Sequence, residues 1–302
     1  MALTFAAFGE AMVEVTLDRD DPTAARIGFA GDTLNTCIYL KRAAPDLDVR
    51  FVTRVGQDAL SDRLVQTVAD EDIATTAIGR SDTRGAGLYA ISTDETGERS
   101  FAYWRGQSAA RDMFSEGPSA TDLLKGVDWA YCSAISLAIL APAARARFLE
   151  ALAAFREGGG KVAFDSNYRP ALWEDQATAQ EVVAKAWALT DLAMPSVDDE
   201  MALYGDGDAW GVVARLKSYG VHDGALKRGA EGPISLGENV GAVSYPEAAR
   251  VVDTTAAGDS FNAGFLAARL SGASQAEALM AGHTLAARVI GAPGAIIPRA
   301  DW

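Results

Sequence analysis

The chain has 302 residues, is 49% hydrophobic and carries a formal net charge of −14. That suffices for one large α/β domain with a full core, and the acidity argues against general affinity for nucleic acid, whose phosphates demand basic surface. No apolar run is long enough to span a bilayer and the N-terminus lacks the pattern of a secretory signal, so a cytoplasmic location is the default expectation.

In chain order, β-like runs at 3–9, 49–55, 129–134, 161–165, 192–195 and 224–227 alternate with helical patterns at 33–43, 59–71, 142–156, 178–190 and 210–219. Such an alternation predicts a mostly parallel sheet with helices on both faces, and there is no internal repeat or low-complexity linker. Two stretches break the rhythm. Residues 12–17, and 87–93 followed after Asp94-Glu95-Thr96-Gly97 by 99–105, alternate like antiparallel strands, the second pair forming a hairpin. Strands without helices of their own suit a lid, which keeps water from consuming a phosphoryl donor. Cys37 and Cys132 are too few and too far apart for a zinc cluster or a disulfide framework, and read as buried thiols.

Residues 253–261, Asp-Thr-Thr-Ala-Ala-Gly-Asp-Ser-Phe, carry the most chemical information. Phe261, Phe265, Leu266 and Leu270 recur at helical spacing, which puts Ala256, Ala257, Gly258 and Asp259 on the first turn of a helix over 257–270. Free amides and the positive end of the helix dipole make that turn an anion site, open to close approach because its side chains are small. Asp259 would be repelled by a phosphate there unless it takes a proton from the attacking group. In a purely structural alternative, Asp253 and Thr254 cap the helix and Gly258 serves packing. A second turn, Gly28-Phe29-Ala30-Gly31-Asp32-Thr33-Leu34-Asn35, also opens a helix, with Asp32 or Thr33 available as cap.

The Asp253–Asp259 segment resembles the second signature of the PfkB, or ribokinase-like, carbohydrate kinase family, usually Asp-Thr-X-Gly-Ala-Gly-Asp; Ala256 replaces a glycine, which requires that the turn need no positive φ there. The Gly28–Asn35 turn resembles the family's first, sugar-binding signature, with Ala30 in place of one of two adjacent glycines. Gly9-Glu10-Ala11-Met12-Val13-Glu14, Gly87-Leu88-Tyr89, Gly97-Glu98-Arg99, Tyr103-Trp104-Arg105, Phe164-Asp165-Ser166-Asn167-Tyr168-Arg169-Pro170 and Gly294-Ala295-Ile296-Ile297-Pro298-Arg299 extend the likeness nearly end to end. As an ordered set they are similar to the branch that phosphorylates 2-keto-3-deoxygluconate.

The resemblance implies a ribokinase-like three-layer α/β/α fold, one kinase domain over 1–302 with a β lid from about 11–30 and 85–106. It implies ATP-dependent phosphorylation of 2-dehydro-3-deoxy-D-gluconate at its terminal hydroxyl. It makes Asp259 the base and Ala256, Ala257 and Gly258 the anion hole. Gly31, Asp32 and Asn35 are the candidates for holding sugar hydroxyls, Tyr89, Tyr103 and Arg105 for contacts from the lid, and Arg169 for the acid end or the transferred phosphate. A guanidinium offers paired donors to either anion. By chemistry alone the tyrosines could equally be packing partners, Arg105 a solvated end residue and Arg169 an ion-pair partner of Asp165.

Nucleotide binding is less plainly written. There is no Gly-x-x-x-x-Gly-Lys-Ser/Thr loop, and Gly205-Asp206-Gly207 reads as a turn. The resemblance puts ATP near Lys227, Gly229 and Gly232, with Asn167 and His283 as further contacts; taken by themselves, residues 227–232 are a hairpin turn with two exposed cations, and His283 is a packed helix histidine. Phosphoryl transfer from ATP requires Mg²⁺, which keeps most of its water. Glu200 fits the glutamate of the family's Asn-x-x-Glu motif, but Val197 stands in the asparagine place, and an acidic helix start is the alternative. Two other functions remain open: a kinase of a neutral sugar such as fructose or ribose, and a sugar-binding regulatory protein without turnover. Unpaired lid edges favour a homodimer.

Overall fold

A computed structural model of the protein describes residues 3–21, 23–94, 99–115, 117–241 and 243–302. Its strands are β1 (Thr4–Phe8), β2 (Met12–Leu17), β3 (Ala25–Ala30), β4 (Asp48–Val55), β5 (Ile78–Arg80), β6 (Gly87–Thr93), β7 (Arg99–Trp104), β8 (Trp129–Ser133), β9 (Lys161–Asp165), β10 (Leu192–Ala193), β11 (Ala225–Leu226) and β12 (Ile234–Ser235). Among the described residues the central sheet has six strands in the order β10-β9-β8-β1-β4-β5, all parallel.

The apolar runs of these strands are explained by burial on both faces. In β1, Phe5 and Ala7 face one core while Ala6 and Phe8 face the other. The first core is completed by Leu34 and Ile38 of the Asp32–Ala43 helix, Leu64 and Val68 of the Ala59–Asp70 helix and Phe265 of the Ala257–Leu270 helix. Phe148 of the Pro142–Glu157 helix with Val183 and Trp187 of the Gln176–Ala188 helix close the second. This is the expected three-layer α/β/α arrangement. Cys37 and Cys132 are buried free thiols.

The stretches that broke the rhythm form a second sheet together with β3, which the sequence pattern did not mark as a strand, in the order β3-β2-β6-β7. β2 pairs antiparallel with β3 but parallel with β6, and β6 and β7 make the expected antiparallel hairpin. Of the turn expected between them, Glu95, Thr96 and Gly97 lie outside the described residues, as does Glu98. One face of this sheet buries Met12, Tyr89 and Ile91 against Ala295, with Ala256 and Ile296 packed alongside. Phe101, Tyr103 and Trp104 on β7 are exposed.

Most element boundaries agree with the sequence to within two residues. β10 and β11 are shorter than expected, and the backbones approach closely at Gly224, just before β11: a Cβ there would lie 1.9 Å from the Ala193 carbonyl oxygen. The Gln275–Val289 helix, whose start is marked by a reciprocal Ser274–Glu277 capping box, was seen only in part from the sequence around His283.

Candidate active site

The Ala257–Leu270 helix starts where its periodicity predicts, and Ala256 is its N-cap. Helix geometry leaves the Gly258 and Asp259 amides without intrahelical acceptors. The Ala257 amide donates to the Thr254 carbonyl at 3.2 Å. No side chain caps this helix. Asp253 instead accepts from Thr255 N at 3.0 Å and Gly294 N at 2.6 Å, so it fixes the turn to the C-terminal loop.

Ala256 corrects the sequence expectation. Its φ is +61° and its ψ 15°, the left-handed region that the substitution of glycine was taken to exclude. The turn's geometry is retained at a cost of about 1–2 kcal/mol for the Cβ. Ala256→Gly is therefore expected to raise stability by up to about 1 kcal/mol, since glycine's greater chain entropy offsets part of the relief. Denaturant titration checks this, and a destabilised variant would show that the alanine methyl's packing outweighs its strain.

Asp259 is 9% exposed, on a first turn that faces the start of the Asp32–Ala43 helix. Asn35 donates from Nδ2 to Asp259 Oδ2 at 2.8 Å and accepts from Gly31 N at 3.3 Å, which ties the two glycine turns together. Glycine is required at 31 by contact, because a Cβ would lie 2.1 Å from the Glu10 carbonyl oxygen. Burial, then the nearby Asp32 and Asp165 charges, push the Asp259 carboxyl up to about 8, against the Asn35 hydrogen bond and the Lys227 charge, which pull it down. A carboxyl so placed holds its proton until added positive charge draws it down, and only then serves as an acceptor.

Asp32 is the first helical residue, not the cap, and Gly31 takes the N-cap place. The Asp32 Oδ2 accepts from Ser133 Oγ at 2.5 Å and from Asn167 Nδ2 at 2.8 Å. Asn167 thus adjoins the Gly31 turn as well as the end of β9.

Lys227 is the second correction. It is not an exposed cation: its side chain is 10% accessible and its Nζ donates to Asp165 Oδ1 at 2.9 Å and Asn262 Oδ1 at 3.0 Å. Nζ also lies 3.6 Å from the position a Gly258 Cβ would take, beside the helix start. Asn262, one turn beyond Asp259, donates to Asp165 Oδ2 at 2.7 Å and to the Tyr131 hydroxyl at 3.2 Å. Asn262 and Tyr131 escaped the sequence analysis, and Asp165 entered it only within a motif and as a possible partner of Arg169, because β9, the Ala257–Leu270 helix and β8 bring the three together only in the folded chain. Their one sequence signal is a polar side chain inside an apolar pattern.

Arg169, half exposed, pairs with Asp199 at 3.1 Å rather than with Asp165. Arg105 is not solvated; it pairs with the buried Glu10 through Nε at 2.7 Å and through NH2. Tyr89 is buried, donates to Glu14 and stacks on the exposed Tyr103 with ring centroids 5.8 Å apart. Gly229 and Gly232 both have positive φ in a short 3-10 turn between β11 and β12. A Cβ on Gly232 would strike the Tyr245 ring, whose other neighbour is His283 at 5.0 Å; His283 Nε2 lies 2.7 Å from the Pro246 carbonyl. Tyr245 is a residue the sequence did not single out.

Glu200 is fully buried, with Oε1 accepting from Trp187 Nε1 at 3.2 Å and Oε2 from Arg215 at 2.8 Å. Burial raises its carboxyl to about 7 against the lowering effect of Arg215. This is the setting of an interior ion pair, with both oxygens accepting from protein donors. Among the described residues no group of three or more His, Cys, Asp or Glu side chains is arranged to hold a metal ion.

Comparison with known proteins matches the geometry. The family described as pfkB family carbohydrate kinase covers residues 3–302. The chain is 44% identical to 2-dehydro-3-deoxygluconokinase of Dickeya dadantii over 97% of this chain and 96% of that protein. It is 42% identical to the protein of the same name from Escherichia coli K12, over 99% and 98% respectively. A solved PfkB protein from Polaromonas sp. JS666 superposes with a TM-score of 0.84 at 26% identity, covering 95% of each chain. The chain belongs to the pfkB family of carbohydrate kinases. Among the described residues no helix is long and apolar enough to cross a membrane.

Proposed function

We propose that the protein transfers the γ-phosphoryl group of ATP to the terminal hydroxyl of 2-dehydro-3-deoxy-D-gluconate, giving the 6-phosphate and ADP. The observation that carries the mechanism is the Asn35 bridge from the sugar-binding turn to a buried Asp259 at an open helix start. The substrate follows the names of the relatives at 42% and 44% identity.

In this mechanism the sugar acid lies between the Gly31 turn and the second sheet, which acts as a lid of about 11–30 and 85–106 within a single kinase unit. Asp259 accepts the hydroxyl proton as that oxygen bonds to the γ-phosphorus and the bond to the β,γ-bridging oxygen breaks. Of the turn expected to form the anion hole at 256–258, the Ala257 amide is taken by the Thr254 carbonyl, so the free Gly258 amide, with that of Asp259 and the Lys227 ammonium, offsets charge on the transferring group. Gly232 and His283 bound the nucleotide pocket through Tyr245, and Gly229 lies on the same turn. Mg²⁺, when bound with ATP, would neutralise the phosphate oxygens; among the described residues no cage forms, which fits an ion carried by the nucleotide and water. The exposed edges β3 and β7, with Ile27 and Trp104, are proposed to pair with a second copy.

The test is ADP release with Mg-ATP against 2-dehydro-3-deoxygluconate, its galactonate epimer, fructose and ribose. Selective turnover of the sugar acids is expected, whereas preference for fructose or ribose would overturn the substrate. Arg105→Ala alone is a poor probe, because it strands the buried Glu10 carboxylate. The double variant Glu10→Gln, Arg105→Gln avoids this, and is expected to cost the sugar acid about tenfold more in kcat/KM than a neutral sugar, as loss of a charge-assisted contact implies. Equal losses for both substrates would remove Arg105 from acid recognition.

A further inference from the structure

Arg99 stands at the first position of β7, opposite Thr93 of β6, where the hairpin of the second sheet begins its return. Its guanidinium forms an ion pair with Asp253, across from one sheet to the loop that leads into the Ala257–Leu270 helix. Asp253 is the node of that loop. Its side chain is only 3% exposed, and it holds the amides of Thr255 and Gly294. Arg99 therefore adds a third chain segment to a carboxylate that already fixes the shape of the phosphate turn. An apolar contact runs beside the charge contact: Met12, Tyr89 and Ile91 of the second sheet pack on Ala295, with Ala256, the N-cap itself, against the same cluster.

We infer that Arg99 is a positioning residue, a latch that holds the second sheet down on the phosphate turn and couples lid closure to the turn's shape. Two physical consequences follow from the pair. Asp253 lies three residues before the N-cap, and its negative charge would oppose an incoming phosphate; Arg99 neutralises it from the lid side, so the turn is best prepared for an anion when the lid is down. Conversely, a lid released from Asp253 is held against this turn by the small apolar contact with Ala295 and Ala256, a weaker barrier to water. Water can then take the place of the sugar hydroxyl: its oxygen bonds to the γ-phosphorus, the bond to the β,γ-bridging oxygen breaks, and ADP and inorganic phosphate leave. Arg99 was singled out in the sequence only as part of Gly97-Glu98-Arg99. The pairing with Asp253, 154 positions along by subtraction of the two residue numbers, is a tertiary fact.

The latch rests on the kinase chemistry just proposed, and its experiment separates the two. Arg99→Gln and Arg99→Lys are compared with the wild type by hydrogen exchange in the ligand-free protein, and by the ratio of ADP to sugar phosphate formed with Mg-ATP and 2-dehydro-3-deoxygluconate. In Arg99→Gln, exchange at the Thr255 and Gly294 amides and along β7 is expected to quicken about tenfold, the range of a lost coupling between contacting residues. KM for the sugar acid rises about tenfold with a smaller change in kcat, and the ADP-to-product ratio climbs above one. Arg99→Lys, which keeps the charge, restores most of each. Unchanged exchange overturns the latch. Faster exchange with an unchanged KM and one-to-one stoichiometry overturns the coupling, and leaves Arg99 as a structural ion pair. A wild type that turns over none of the sugars refutes the kinase assignment, while the exchange comparison still decides whether Arg99 holds the lid to the turn.

Discussion

Asp259→Asn is expected to lower kcat by about 10²–10⁴-fold, the usual contribution of a general base, while leaving the fold and ATP affinity intact. The amide keeps an oxygen for the Asn35 hydrogen bond, so the local geometry survives and only proton acceptance is lost. The same substitution carries a stability signature of opposite sign. Burial and neighbouring carboxylates hold the folded Asp259 at about 8, above its ordinary 3.8, so folding takes up a proton between those values. The carboxyl's contribution is fully present below pH ~4 and is lost as pH rises towards 8. Asparagine has no such dependence. The variant should therefore melt above the wild type at pH 8, with the gap closing as pH falls towards 4. A variant with near-normal turnover would remove Asp259 from the role of base, and a gap that does not change with pH would show that its carboxyl is not held protonated.

Lys227→Met has the second largest expected effect, because it acts on both catalysis and stability. The ammonium beside Gly258 is lost to the phosphoryl group, and Asp165, 3% exposed, is left without its counter-ion. Stranding a buried carboxylate costs about 3–5 kcal/mol. Adding Asp165→Asn should recover much of the stability, since Asn262 can still hydrogen-bond the amide, yet kcat should stay low. The pH dependence gives an independent check. Lys227 pulls the Asp259 carboxyl down, so its removal moves the acid limb of kcat/KM to higher pH; Asp165 pushes that carboxyl up, so Asp165→Asn alone moves the limb lower. Denaturant titrations and pH–rate profiles of the three variants decide the matter. An acid limb that stays put in Lys227→Met would separate this lysine from the base.

The parallel α/β body was legible because burial on both faces leaves continuous apolar strands between helices of 3.6-residue period. The helix over 257–270, with Asp259 on its first turn, followed from local pattern alone. So did three of the second sheet's strands, β2, β6 and β7, although β3 and the parallel β2–β6 pairing did not. Family resemblance carried the sugar and nucleotide residues, which periodicity could not name.

Charge partnerships were the part the sequence could not yield. Beside their ligand roles it offered Lys227 as an exposed cation, Arg105 as a solvated end residue and Arg169 as a partner of Asp165, whereas the fold pairs them with Asp165, Glu10 and Asp199. Ala256 shows the same limit in the backbone: its side chain argues for negative φ, and the closed turn imposes +61°. Local propensity and spacing are encoded within a few residues, so one strand of sequence specifies them. Which ions meet in the interior, and which residue bears a strained dihedral, depends on elements far apart in the chain coming together, and the cost of an unpaired buried charge or a misshapen turn is set only there.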